Sequence, residues 1–205
     1  MPKITQISVQ TRNKNRCNLF VDGEFFAGVS TEILLKERIK TGDEVDRATL
    51  ASLLFESEKQ EALGKAVDYI SKALKTKKQV KDYLLRKGYS EDIVWFCIDK
   101  LKEYAYVDDV EYSKRYINSV SKTNGKKLVE YKLMSKGVKK EDISTAFENT
   151  EIDAKENAKA VAEKYLKNKE RTKEVKAKAY RYLISRGFSY DEASYALSNF
   201  DDNED

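Results

Sequence analysis

The 205-residue chain contains no histidine, one proline (Pro2) and two cysteines, Cys17 and Cys97. The absence of histidine excludes Ser-His-Asp and Cys-His catalysis, and the two cysteines alone supply too few ligands for a structural zinc site. Two cysteines this far apart in sequence do not form a disulfide framework, so we expect reduced, buried thiols.

Long apolar runs and phosphate-binding loops are also missing. The N-terminus, MPKITQISVQ, has no apolar signal segment, and runs such as residues 53–55 are too short to span a bilayer. We therefore expect a cytoplasmic protein with no membrane contact. No GxxxxGK[ST] or GxGxxG motif occurs, and Gly125 followed by two lysines is interpreted as a helix start. The sequence thus predicts no cofactor, no metal site and no catalytic residue.

Charged residues are abundant, at 36% of the chain, and the formal net charge is +4. Abundant lysine and glutamate with almost no proline favour a helical, highly solvated protein. The positive charge is concentrated in residues 111–150, which carry 9 basic and 5 acidic side chains. The last five residues, DDNED, form an acidic tail that we expect to fray in solvent.

The first 45 residues are predicted to form a small sheet and one helix. Alternating apolar residues indicate strands at 4–9 and 17–21, and the Asp22-Gly23 pair is typical of a type I′ hairpin turn before a returning strand at 25–29. Ser30 or Thr31 is a candidate N-cap for a short helix at 32–38. Asp46 is a candidate N-cap for the helix that follows.

The remaining chain repeats one helical unit three times. Gly88, Gly137 and Gly187 lie 49 and 50 residues apart; each has a leucine four residues earlier and an amphipathic helix after it. Each glycine fits the left-handed position that ends a helix. The helix that opens each unit is marked by Tyr69, Tyr116 and Tyr165.

Such units bury little surface alone and must stack on one another. We therefore predict a mainly α protein in which tandem three-helix repeats form an elongated, curved array. The predicted segments are the sheet and helix at 1–45, a connecting helix at 46–61, repeats at 62–108, 109–152 and 153–200, and the tail at 201–205.

Basic residues recur in the helix before each glycine. Lys87, Lys136 and Arg186 lie directly before the glycines, where the helix dipole favours a cation. Either helix stability or partner binding can therefore explain these three residues. Lys77 and Lys126, each eleven positions before its glycine, lie near helix starts, with Thr76 and Asn124 as candidate caps. The helix dipole does not favour a cation at a helix start, so partner binding or simple solvation is left to explain these lysines. The candidate partner-binding or nucleic-acid-binding residues are Lys77, Lys78, Lys81, Lys87, Lys126, Lys127, Lys136, Lys176 and Arg186.

A DNA-reading helix-turn-helix and an enzyme are two other classes to consider. The helix after each glycine would have to enter the major groove, yet outward positions such as Glu91, Asp92 and Asp99 disfavour base readout and leave only phosphate contacts open. The acidic pair Asp108-Asp109 is interpreted as a turn and a helix N-cap rather than a metal site. We therefore expect a non-enzymatic binding protein.

The stretch 101–116, LKEYAYVDDVEYSKRY, together with the three LxxxG helices, resembles the RecX family of bacterial regulatory proteins. The family's Tyr-x-Asp-Asp-x-x-Tyr segment falls on Tyr106, Asp108, Asp109 and Tyr112. The resemblance covers residues 62–200 and, more weakly, the N-terminal segment.

The resemblance implies a modulator of the recombinase RecA in recombination, DNA repair and the SOS response. Such a protein lies in the groove of the RecA–DNA filament, inhibits strand exchange, ATP hydrolysis and co-protease activity, and binds single- or double-stranded DNA weakly. A monomer is expected. Lys132 departs from the pattern, since the other repeats have tyrosine there, and residues 151–205, which hold the third repeat and the tail, are net acidic with 11 basic and 12 acidic side chains. The alternative is a basic helical protein that contacts DNA phosphates without RecA.

Overall fold

The computed structural model describes residues 1–200, which form three strands and ten helices. The acidic tail at 201–205 lies outside the described residues. The chain divides into two compact units: Met1–Ala73 with Val80–Tyr104 form the first, and Leu74–Gln79 with the chain from Ala105 onward form the second. None of the described helices is both long enough and apolar enough to cross a membrane.

The first unit begins with an antiparallel sheet in the order β1 (Ile4–Val9), β2 (Arg16–Val21) and β3 (Glu24–Ser30). The predicted hairpin turn is present: Asp22 and Gly23 have φ values of 51° and 88°, as a type I′ turn requires. The next helix, α1 (Thr31–Lys36), is shorter than predicted, and its N-cap residue Ser30 makes no side-chain capping bond.

One helix, α2 (Arg47–Ser71), takes the place of the predicted connecting helix at 46–61 and of the separate helix predicted to open the first repeat. Asp46 caps it by accepting a hydrogen bond from the Thr49 N–H at 2.6 Å. The helix continues past residue 61 and through Gly64, and Glu61 pairs with Lys65 one turn later at 2.6 Å, which supports the helix across this glycine. Glu61 also binds Arg16 of β2 at 2.7 Å, so α2 holds the sheet by an ion pair as well as by its apolar face.

The remaining eight helices follow the predicted repeat pattern. In the first repeat α2 is followed by α3 and α4, and each later repeat contributes three helices of its own. Their bounds are α3 (Lys77–Arg86), α4 (Glu91–Glu103), α5 (Asp109–Val120), α6 (Lys126–Ser135), α7 (Lys140–Glu148), α8 (Ala154–Leu166), α9 (Lys173–Ser185) and α10 (Tyr190–Ala196).

The repeat glycines end α3, α6 and α9 as predicted. At Gly137 the φ angle is +83°, its N–H donates to the Met134 carbonyl at 2.9 Å, and the Val138 N–H donates to the Leu133 carbonyl at 3.2 Å. These two bonds define a Schellman motif, which satisfies carbonyls at the helix end. Gly88 and Gly187 are built in the same way.

Each repeat buries the apolar positions that its sequence pattern marks. The leucines four residues before the glycines, Leu84, Leu133 and Leu183, are 0% exposed. In the first unit α4 packs on α2, and in the second α7 packs on α5 and α10 on α8. The helix after each glycine therefore folds back on the helix that opens its repeat.

Repeats 2 and 3 meet at the start of α6. The Gly125 N–H donates to the Arg186 carbonyl at 2.9 Å, and the Lys127 N–H donates to the Gly187 carbonyl at 3.2 Å. The turn that ends α9 thus caps α6. The prediction that Asn124 caps this helix is wrong, because Gly125 is the N-cap and the Asn124 amide donates backwards to the Val120 carbonyl.

Candidate functional site

The two aspartates of the Tyr-x-Asp-Asp-x-x-Tyr segment each cap a helix. Asp108 caps its own helix, α5, by accepting hydrogen bonds from the N–H groups of Val110 and Glu111 at 2.8 and 3.1 Å. Asp109 is 2% exposed and accepts a hydrogen bond from the Lys77 N–H at 2.9 Å, at the start of α3. Burial raises the pKa of Asp109, although the hydrogen bond and charge of Lys77 act in the opposite direction.

The first turn of α3 is closed by a second set of bonds. Thr76 accepts from the Gln79 N–H at 3.2 Å while Gln79 accepts from the Thr76 N–H at 3.1 Å, which is a capping box. The Thr76 hydroxyl also donates to the Lys136 carbonyl at 2.8 Å, beside the Gly137 turn. Thr76 is therefore the cap that the sequence suggested.

Lys77 is held by carboxylates of the second unit. Its ammonium lies 3.9 Å from Asp109 and 4.0 Å from Asp142. Its side chain is 35% exposed, so it retains some access to solvent. Lys77 therefore lies beside the carboxylate of a buried aspartate.

The cations directly before the glycines of repeats 1 and 3 lie over tyrosine rings. Lys87 is 5.7 Å from the ring centroid of Tyr83, and the Arg186 guanidinium is 5.1 Å from that of Tyr182. Each of these tyrosines stacks in turn on the tyrosine of the opening helix: Tyr69 on Tyr83 at 4.2 Å and Tyr165 on Tyr182 at 4.5 Å. The result is a column of two tyrosines and one cation.

Repeat 2 builds a related column with different residues. Lys132 occupies the position of Tyr83 and Tyr182, so Lys136 has no tyrosine one turn earlier. It lies instead over Tyr116 of the opening helix, at 5.7 Å, and Tyr116 stacks on Tyr112 of the family segment at 6.5 Å. Repeat 2 therefore also has a cation above an aromatic ring, although Lys132 replaces the tyrosine of the other two repeats.

Four more of the candidate basic residues contact aromatic rings. Lys81 lies 4.6 Å from Trp95, Lys126 lies 5.1 Å from Phe147, Lys127 lies 5.5 Å from Tyr190 and Lys176 lies 5.6 Å from Phe200. Seven of the nine candidates thus stand over a ring face. Such pairs are worth about 0.5–1 kcal/mol at exposed sites and hold the cation in place without consuming its charge.

Sequence reasoning missed the exposed aromatic residues. Trp95 is 48% exposed, Tyr131 67% and Tyr190 64%. The available signal was their position: Trp95 and Tyr131 fall outside the buried stripe of their helices, and Tyr190 directly follows a helix N-cap.

Both cysteines are buried, as expected. Burial raises the pKa of the Cys97 thiol to about 11, so this side chain stays protonated near neutral pH and behaves as a small apolar residue.

The fold and the surface together define a class of protein, in which tandem three-helix repeats carry lysine and arginine side chains that are ordered by aromatic rings. Residues 2–46 match the family described as regulatory protein RecX N-terminal domain, residues 62–101 match the RecX first three-helix domain, and residues 151–197 match the RecX third three-helix domain. These matches overlap the segments predicted at 1–45, 62–108 and 153–200.

Curated relatives match over nearly the whole chain. The regulatory protein RecX of Clostridium botulinum (strain Alaska E43 / Type E3) is 37% identical over 196 residues, which cover 93% of this chain and 92% of that protein. The regulatory protein RecX of Bacillus subtilis (strain 168) is 31% identical over 206 residues, covering 98% and 78%.

Two solved structures share the fold. A crystal structure of regulatory protein RecX superposes with a TM-score of 0.78 at 24% identity, covering 97% of this chain and 100% of the other. The crystal structure of RecX from Lactobacillus salivarius gives a TM-score of 0.62 at 25% identity, covering 69% and 96%. The chain belongs to the RecX family of regulatory proteins, which confirms the resemblance recognised in its sequence.

Proposed function

We propose that this protein is a non-enzymatic regulator that binds the RecA–DNA filament and mainly inhibits the recombinase, ATPase and co-protease activities of RecA. The observation that carries the proposal is membership of the RecX family over nearly the full chain. RecA is the partner that this family implies, and DNA is a second, weaker partner.

The arrangement of the cations supports this role. Seven candidate cations stand over ring faces, which holds each cation at a fixed place on the surface where a phosphate or a carboxylate can meet it. Because these side chains are already ordered, binding loses less conformational entropy than it would with free lysines. The motif aspartates serve as helix caps, so they are assigned to structure rather than to chemistry.

The test is RecA-dependent ATP hydrolysis on single-stranded DNA, with this protein added below the molar amount of RecA. We expect slower hydrolysis and slower strand exchange, and no hydrolysis by the protein alone. Unchanged RecA activity at equimolar protein would refute the proposal.

The alternative, a phosphate-binding protein that acts without RecA, predicts a different titration. Such a protein must cover the DNA in order to displace RecA, so its inhibition should disappear when more single-stranded DNA is added. A filament regulator should inhibit at the same ratio to RecA regardless of free DNA. The DNA titration therefore separates the two functions.

A further inference from the structure

An exposed stripe runs along α6 in the second unit. Lys127, Tyr131 and Met134 are spaced by four and three residues and therefore share one helix face. Tyr131 is 67% exposed and Met134 is 48% exposed. The opposite face of the same helix buries Val129 and Leu133, so the stripe is not part of the repeat core.

A second exposed tyrosine meets this stripe from the next repeat. Tyr190 begins α10 and is 64% exposed. The Lys127 ammonium lies 5.5 Å from the centroid of its ring. Lys127 therefore contacts Tyr190 and lies one helix turn before Tyr131 on α6.

Helix stability does not explain this arrangement. Tyrosine is a poorer helix former than alanine, and its ring contributes little to stability when most of it stays in water. A lysine in the first turn of α6 is also mildly unfavourable beside the helix dipole. A stripe of large exposed rings that has no packing role is typical of a binding surface.

The charge around the stripe indicates the kind of partner. Residues 111–150, which contain α6, hold 9 basic and 5 acidic side chains, a net charge of +4. Aromatic rings beside cations are the features of sequence-tolerant single-strand binding: the cations contact phosphates and the rings stack on bases. Bases in a duplex are already stacked on their neighbours, so the rings add little there.

We propose that Tyr131 and Tyr190, together with Lys127, form a stacking platform for the unpaired bases of a single-stranded nucleic acid. This deepens the proposed function, because it names the surface that would meet the DNA strand of a RecA filament. It can nevertheless be tested without RecA.

The experiment measures binding of the full-length protein alone to fluorescent oligonucleotides by anisotropy at low salt. The probes are an oligo(dT) of about 20 nucleotides, which exceeds a typical site of about 4–16 nucleotides, an abasic strand of the same length, and a duplex. The variants are Tyr131→Ala, Tyr190→Ala, the two matching Tyr→Phe changes, and Phe25→Ala. Phe25 is 61% exposed on the sheet of the first unit and is the control for loss of an exposed ring.

We expect the wild type to bind oligo(dT) more tightly than either the abasic strand or the duplex. Each Tyr→Ala change should weaken oligo(dT) binding by about fivefold or more, whereas Tyr→Phe should keep it within about twofold because the stacking ring remains. Binding of the abasic strand should be the same in all variants, and Phe25→Ala should bind like the wild type. Thermal unfolding should change little, which would show that the variants are folded.

Two results would overturn the platform: equal affinity of the wild type for oligo(dT) and the abasic strand, or wild-type oligo(dT) binding by the Tyr131→Ala, Tyr190→Ala double variant. If that double variant binds DNA normally but no longer slows RecA, the surface meets protein rather than bases, and the inference is again wrong. If the predicted binding pattern is found but the wild type leaves RecA unaffected, only the proposed function fails.

Discussion

The Asp109 carboxylate accepts a hydrogen bond from the Lys77 backbone N–H at 2.9 Å, across 32 residues of sequence. Asp109 is the second aspartate of the family segment, and it caps a helix other than its own. Its neighbour Asp108 caps the helix in which both residues lie. The paired aspartates are thus explained by two helix starts that lie close together in the second unit.

Replacing Asp109 should destabilise the protein to a degree that depends on the substitute. Asp109→Ala leaves the Lys77 N–H unsatisfied in a buried site, at a cost of about 1–3 kcal/mol. Asp109→Asn keeps an acceptor oxygen and should cost less. Urea unfolding at neutral pH measures both, with Asp108→Ala as a reference for an ordinary N-cap, which is worth about 1 kcal/mol. Equal stability of the alanine variant and the wild type would show that this bond contributes nothing.

The same residue should leave a mark on the pH dependence of stability. Burial raises the pKa of Asp109 above its ordinary value of 3.8, so between the two values the folded chain binds more protons than the unfolded chain. Its contribution to the free energy of unfolding is therefore greatest below pH 3.8 and falls as the pH rises through the raised pKa. The Asn variant lacks this titration. The stability of the wild type minus that of Asp109→Asn should thus decrease as the pH rises, and an increase would mean that Lys77 outweighs burial.

Local signals in the sequence were sufficient for much of the fold. The Asp22-Gly23 turn, the Asp46 cap and the three glycine helix ends each depend on residues within about one turn of chain, so sequence alone located them. The long helix α2 was divided incorrectly because apolar spacing does not show where a helix with good i,i+4 pairs stops.

Contacts between distant residues were not predictable in the same way. The Lys77–Asp109 bond and the Gly125–Arg186 bond join helix ends that only the packed repeats bring together. The sequence did not show that the Lys77 ammonium lies near two carboxylates, and the partner contact of Lys77 stays a prediction. The cation–tyrosine columns combine residues from two helices, and the repeat spacing gave their positions but not their pairing.

The repeat glycines should differ in how far they resist substitution. All three have positive φ, so alanine should cost about 1–2 kcal/mol at each. At Gly88 a β-carbon would meet nothing, whereas at Gly137 it would overlap the Lys78 side chain and at Gly187 the backbone of Leu128. Thermal unfolding should therefore rank Gly88→Ala as mildest and Gly187→Ala as most severe, because a backbone cannot move aside as a side chain can.

Valine at Gly137 should be worse than alanine there, since a β-branched residue resists positive φ further. Equal effects at the three glycines would mean that backbone strain alone sets the cost and that the packing around the turns is loose. An unchanged unfolding temperature in all of the variants would contradict the assignment of these glycines to left-handed helix ends.

Two lysines at the start of α6 test whether the cations bind nucleic acid. Replacing Lys126 and Lys127 with glutamine removes charge while sparing Lys77, whose ammonium lies close to the buried Asp109. Single-strand binding should weaken about equally for all sequences, and the slope of log affinity against log salt should fall by at most about 0.7 for each lost phosphate contact. Stability should barely change, since exposed ion pairs such as Lys126–Glu130 contribute only about 0–1 kcal/mol.

The matched control replaces Lys36 and Lys40, two exposed lysines of the first unit, with glutamine. It lowers the net charge by the same amount at a place with no proposed contact, so its salt slope should stay at the wild-type value. An equal loss in both double variants would mean that net charge alone drives binding. A wild-type slope in the Lys126, Lys127 variant would mean that these two lysines are only solvated.

RecA inhibition by the Lys126, Lys127 variant should fall together with its DNA binding only if the same surface docks in the filament. If RecA binds a separate surface, inhibition should stay intact while the salt slope falls.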